Sequence, residues 1–206
     1  MIPILNQIID MKTILAFLLV VLVSFSCNNT TDIRKTETEQ NEIATITEEQ
    51  KLAMAAEGKQ VGSATITTID STFIGTDTFR GKLLVIDFWA TWCSPCIKEA
   101  PMFKEIAKKY KNENVTFISI SIDSNFSNWK EYVTENNWEG NNYWYGRFNK
   151  DSFAYLIYSK FNMKGEEVVG ISLPKYVIIS PGGKILSNAD LRPSKPAFET
   201  EIKKYL

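Results

Sequence analysis

Residues Leu83 to Trp89 read Leu-Leu-Val-Ile-Asp-Phe-Trp, apolar at both alternations of a β-strand, and lead within a few residues into Trp92-Cys93-Ser94-Pro95-Cys96. A strand that is apolar on both faces belongs in the middle of a sheet with cover on each side. Two cysteines with two residues between them, at a strand-to-helix junction, supply a redox-active dithiol, half of a metal site or a structural staple.

Composition bears on that choice. The chain has no histidine, which removes Ser-His and Cys-His nucleophile pairs and every metal site that needs imidazole. Zinc requires four ligands, and the third cysteine, Cys27, lies far away in the N-terminal segment. The expectation is therefore no metal, with an inert disulfide kept as the alternative to a redox pair. The 23 basic and 24 acidic residues nearly cancel, so no basic face for nucleic acid is implied.

The first residues read as processing signals. Met11-Lys12 precedes an apolar run from Ile14 to Val23, then small residues and Cys27. This is the pattern of an export signal over 1–26, with Met11 the more natural initiator. The ten apolar residues of that run are too few to span a bilayer core of roughly 30 Å. Ser24-Phe25-Ser26-Cys27 is similar to a bacterial lipobox, which implies lipidation of Cys27; plain secretion is the alternative. Residues 27–60 are expected to form a tether, since the Asn/Thr/Glu/Gln-rich tract to about Gln50 cannot bury enough apolar surface. Within it, Thr47-x-x-Gln50 is a capping-box signature for a short helix through Ala56, ended by Gly58.

Residues 61–206 read as one α/β domain. Strands are expected at Ala64–Ile69, Leu83–Trp89 and Val115–Ile122, with a hairpin of Lys175–Ser180 and Lys184–Leu186 around Pro181-Gly182-Gly183. Phe103, Ile106, Ala107 and Tyr110 recur at helical spacing after the cysteines, with Pro101 expected to kink that helix. Further helices are expected near Ser127–Asn136, at Tyr155–Phe161 and from Pro196, the last with Phe198 and Ile202 inward. The aromatic stretch Trp138, Tyr143, Trp144, Tyr145 and Phe148 reads as packing, with a partner groove as the alternative. The order gives a mixed central sheet with helices on both faces.

With Asp87-Phe88-Trp89-Ala90-Thr91-Trp92-Cys93-Ser94-Pro95-Cys96, Pro101, Leu173-Pro174 and Ser180-Pro181-Gly182-Gly183-Lys184-Ile185 in place, residues 61–206 resemble the thioredoxin fold, and within it the exported TlpA/ResA-like thioredoxins. A cysteine at a helix N-terminus is favoured as thiolate, its pKa falling from about 8.5 towards 7. Cys93 is accordingly the expected nucleophile and Cys96 the resolving thiol. The resemblance implies a cis Leu173–Pro174 bond offering its backbone to an extended substrate. It also implies a partner surface at Trp92, a proton acceptor in Asp87 and a role near the active site for Glu99. The alternatives are an acid paired with Lys82 for Asp87 and a solvated first-turn acid for Glu99. Leu173 stands where Thr or Ile is commoner in the family.

The implied function is thiol–disulfide oxidoreduction by a monomer. It needs no cofactor beyond the Cys93–Cys96 disulfide, acts on exported proteins as a reductant and is fed by a membrane thiol reductase. For the ResA-like group the resemblance further implies clients such as apocytochrome c. Disulfide oxidase or isomerase, thiol peroxidase (Thr91 stands two before Cys93) and non-enzymatic copper carrier are the competing readings.

Overall fold

Covering β3 on both faces organises the molecule. The structure is a computed structural model that describes residues 46–138, 140–146 and 151–206. The export signal, Cys27, the tether up to residue 45 and Phe148 lie outside the described residues.

In chain order, helix α1 (Glu48–Met54) precedes β1 (Thr65–Thr67), β2 (Phe73–Gly75), a 3-10 turn (Thr76–Phe79) and β3 (Leu83–Trp89). Helix α2 (Ser94–Lys109), β4 (Val115–Ser121), α3 (Phe126–Glu135) and β5 (Asn142–Trp144) follow. A second 3-10 segment (Ser152–Ile157), strands β6 (Tyr158–Met163), β7 (Glu166–Ile171), β8 (Lys175–Ile179) and β9 (Ile185–Ser187), and helix α4 (Pro196–Lys203) complete it. The main sheet has the order β2-β1-β5-β4-β3-β8-β9. Strand β3 lies parallel to β4 and antiparallel to β8, and all seven of its residues are buried.

The two faces of β3 are capped by different helices. Leu83 and Val85 pack with Phe103, Ile106 and Tyr110 of α2 and with Phe198 and Ile202 of α4. Leu84, Ile86 and Phe88 pack with Trp129 and Val133 of α3 and with Phe153, Leu156 and Ile157 of the second 3-10 segment. Each such large apolar side chain contributes roughly 1.5–3 kcal/mol by leaving water. The expected α/β thioredoxin fold, a mixed sheet with helices on both faces, is present. Helix α2 runs through Pro101 as one element.

Two expectations need correction. The compact unit begins at Thr47, so residues 47–60 are not tether. Thr47 and Gln50 form the capping box of α1. The Gly58 amide then donates to the Ile185 carbonyl (2.8 Å) and the Ile185 amide to that of Lys59 (2.9 Å). The segment is polar because it lies along an edge strand, where its main chain has partners. The helix expected at Tyr155–Phe161 is instead the end of the 3-10 segment and the start of a β6–β7 hairpin. Asp151 caps the 3-10 turn by accepting from the amides of Phe153 (3.0 Å) and Ala154 (3.3 Å). Lys164 and Gly165 both take positive φ, 55° and 93°, as a two-residue hairpin turn demands.

The expected turn at Pro181-Gly182-Gly183 is closed by a bond from the Gly183 amide to the Ser180 carbonyl (2.9 Å). Gly183 sits at φ 87°, and a Cβ there would meet the Arg80 guanidinium, which donates to the Gly182 carbonyl (2.9 Å). Gly183→Ala should therefore combine left-handed strain with loss of that bond. We expect it to lower stability by about 2 kcal/mol in urea denaturation; a change below about 0.5 kcal/mol would refute the account.

Candidate active site

Trp89 ends β3, and the chain must turn sharply through Ala90, Thr91 and Trp92 to enter α2. Asp123, buried at the end of β4, holds that turn. Its carboxylate accepts from the Thr91 amide (3.0 Å), the Thr91 hydroxyl (2.8 Å) and the Ser121 hydroxyl (2.6 Å). The Trp144 indole of the aromatic stretch donates to the Asp123 carbonyl (2.7 Å). Described residues of that stretch pack inward: Trp138 meets Trp89 with ring centres 5.1 Å apart, and Tyr145 meets Phe153 at 5.4 Å.

Cys93 occupies the N-cap of α2, and its sulfur accepts from the Cys96 amide at 3.3 Å. Pro95 sits in the first turn, where its missing N–H has no helical partner to lose. Cys93 and Cys96 form a disulfide with Cα atoms 5.3 Å apart. Cys93 is 5% exposed, Cys96 only 1%, while the adjacent Trp92 is 59% exposed. Opening the disulfide would leave sulfur at the positive end of a 16-residue helix, where a thiolate on Cys93 is favoured.

Asp87 lies on the β3 face covered by α2 and α4, opposite Ser119 of β4 and Tyr176 of β8. The Ser119 hydroxyl donates to its Oδ2 at 3.3 Å. Asp87 Oδ1 and the Tyr176 hydroxyl are both buried without a hydrogen-bond partner. Lys82 is exposed and no ion pair joins it to Asp87 among the described residues. Burial, with the nearby charge of Glu99 adding to it, pushes the Asp87 carboxyl up to about 7. A carboxyl with that pKa can exchange a proton at neutral pH.

Glu99, half-buried in the second turn of α2, is tied to the loop before α4. Its two oxygens accept from the Ser194 amide (2.9 Å) and hydroxyl (2.7 Å). The Leu173–Pro174 bond is cis, and the Pro174 carbonyl accepts from Arg192 (3.1 Å). Lys175, next in sequence, is buried. Its ammonium donates to the Ser159 hydroxyl and the Asn188 carbonyl, each at 2.9 Å. Burial and the charge of Arg192, partly offset by Asp190, lower its pKa to about 8.

Tyr176, Ser119, Asp123, Lys175, Arg192 and Ser194 escaped the sequence reading. The only signal any of them carried was a lysine directly after Leu173-Pro174 in a strand that must be buried. No cluster of three or more metal-capable side chains occurs among the described residues.

A disulfide at the N-cap of a helix that covers a central strand, with a cis-proline strand alongside, is the architecture of thiol–disulfide exchange proteins. A family model described as thioredoxin-like matches residues 81–185, just over half of the chain, and the chain belongs to that family. It is 27% identical over 162 residues to the thiol-disulfide oxidoreductase ResA of Bacillus thuringiensis subsp. konkukian, spanning 77% of this chain and 82% of that protein. A candidate thiol-disulfide oxidoreductase from Bacteroides vulgatus has the same fold, with a TM-score of 0.62 at 24% identity over 75% of this chain and 99% of its own. A second Bacteroides vulgatus structure of the same description gives 0.55 at 27% identity over 69% and 86%. The enzyme class is thus a thioredoxin-like thiol–disulfide oxidoreductase.

Asp87 makes stability pH-dependent in a stated direction. Its folded pKa of about 7 exceeds its ordinary 3.8, so the native state binds the extra proton between those values. Its contribution is fully present below about pH 4 and is lost as pH rises towards 7, by on the order of 4 kcal/mol. Asp87→Asn should flatten that part of the stability–pH curve in urea titrations at stepped pH; an unchanged slope would show that another group carries it.

Proposed function

We propose that the chain reduces disulfides in exported proteins, with Cys93 attacking and Cys96 resolving. The Cys93 thiolate attacks one sulfur of a client disulfide, that S–S bond breaks, and the other client sulfur leaves as a thiolate. Asp87 takes the proton of Cys96, whose thiolate then attacks Cys93. The client's second sulfur leaves, two electrons have passed to the client, and the Cys93–Cys96 disulfide is restored. A membrane thiol reductase would supply the electrons for the next cycle.

The observation that carries this reading is a disulfide at the α2 N-cap on a sheet that buries an acid of pKa about 7. Trp92, exposed beside the pair, and the backbone of Leu173 before the cis Pro174 are the surfaces we assign to the client. Apocytochrome c is the type of client that the resemblance to the ResA-like group suggests. Lipid on Cys27 would hold the domain at the envelope, where such clients emerge. The reducing direction rests on the same resemblance.

Cys93→Ser should abolish insulin reduction, and Cys96→Ala should accumulate mixed disulfides that name the clients. The potential of the pair against glutathione decides direction. A value near −270 mV fits a reductase, whereas one near about −120 mV would make the chain an oxidant. Insulin reduction that persisted in Cys93→Ser would refute the assignment of the nucleophile.

A further inference from the structure

We propose that the segment 190–194 is a strut fixing the cis-proline edge relative to the dithiol helix, with Arg192 a positioning residue for extended substrates. The proposal rests on the exchange reading above and adds to it the element that discriminates between substrates.

Arg192 Nη1 donates to the Pro174 carbonyl at 3.1 Å and to the Leu191 carbonyl at 3.0 Å. Two residues later, the amide and hydroxyl of Ser194 bind the two oxygens of Glu99, at 2.9 and 2.7 Å. Glu99 lies three residues beyond Cys96 on α2. One short stretch therefore grips the carbonyl of the cis-proline through Arg192 and the second turn of the dithiol helix through Ser194. The Arg192–Asp190 ion pair (2.5 Å) leaves Asp190 largely exposed and adds little. The bond to the Pro174 carbonyl is charge-assisted, and Pro174 is buried, which makes it the stronger hold.

What that hold secures is the peptide beside it. The Ser172 amide donates to the Ile157 carbonyl at 3.0 Å, and β8 from Lys175 onward pairs with β3. Leu173, between them, makes no backbone hydrogen bond among the described residues. Its N–H and C=O are an open rung, fixed on one side by Ser172 and on the other by the arginine on Pro174. A polypeptide laid along that rung must reach Leu173 and the Cys93 sulfur at once, so the separation of the two matters to it. A small disulfide needs only the sulfur.

Glu99 then acts through Ser194, as the anchor of the strut on α2. Its charge also reaches Asp87, but its bonds are to the strut.

The test is steady-state kinetics of the full chain, recycled by dithiothreitol, on two oxidants. One is a disulfide-linked peptide with several residues flanking each cysteine, the other hydroxyethyl disulfide. Arg192→Met, which keeps the aliphatic stem and removes the donors, should raise the peptide KM about tenfold with kcat held within about twofold. Its rate with hydroxyethyl disulfide and the potential of the pair should stay within about twofold of the parent, measured as exchange constants. Arg192→Lys, retaining one donor, should restore most of the peptide KM, and Ser194→Ala should raise it about threefold. Losses of equal size on both oxidants, or a peptide KM unmoved in both Arg192→Met and Ser194→Ala, would overturn the strut while leaving exchange itself intact. A parent chain silent towards both oxidants would overturn the exchange reading and the strut with it.

Discussion

Strand β3 has no solvent-facing residue, and its double burial sets the terms for the rest of the structure. Both of its edges must be paired and both of its faces covered. Strands β4 and β8 do the first, helices α2 and α4 on one side and α3 with the second 3-10 segment on the other do the second. The direct continuation from β3 into α2 places Cys93 at the helix start, and the cover on the α2 side buries Asp87. A strand half exposed to water could carry the same cysteines but would leave Asp87 solvated and its pKa ordinary.

The site combines two opposed electrostatic settings within a few residues. At the α2 N-cap, unsatisfied amides and the helix dipole favour negative charge on sulfur. On the adjacent sheet face, burial disfavours negative charge on Asp87, and the hydroxyls of Ser119 and Tyr176 offset it only in part. The first setting makes an anion easy to form on the Cys93 sulfur. The second makes a carboxylate costly inside, so that the group binds a proton far more readily than a solvated acid does. The surrounding bonds are positional: Asp123 holds the turn before Cys93, and Arg192 and Ser194 connect the cis-proline edge to α2.

The cysteine pair, the buried Asp87 and the cis-proline are legible in sequence because each depends on local order. Cys93 follows a strand and opens a helix, Asp87 interrupts an apolar run, and Leu173-Pro174 precedes a strand. The hairpin β6–β7 was missed for a local reason, since Tyr155 to Phe161 fits a helical spacing as well as an extended one. Only the Lys164-Gly165 turn and the β-branched residues Val168, Val169 and Ile171 argued for strands. The start of the domain at Thr47 is not legible, because polarity alone does not separate a tether from a segment that hydrogen-bonds along a sheet edge.

The sequence by itself determined the fold class, the burial of β3 and the redox pair, because helix and strand periodicity, a CxxC spacing and an X-Pro step are readable over a few neighbouring residues. Only the tertiary structure decided what surrounds them. Tyr176 meets Asp87 through the register of β3 with β8, a pairing of positions 89 residues apart in the chain. Arg192 reaches Pro174, and Ser194 reaches Glu99, because β9 and the loop before α4 return the chain to the dithiol helix. These contacts are set by how distant strands align and how the helices close over them. Local propensity carries no record of that alignment.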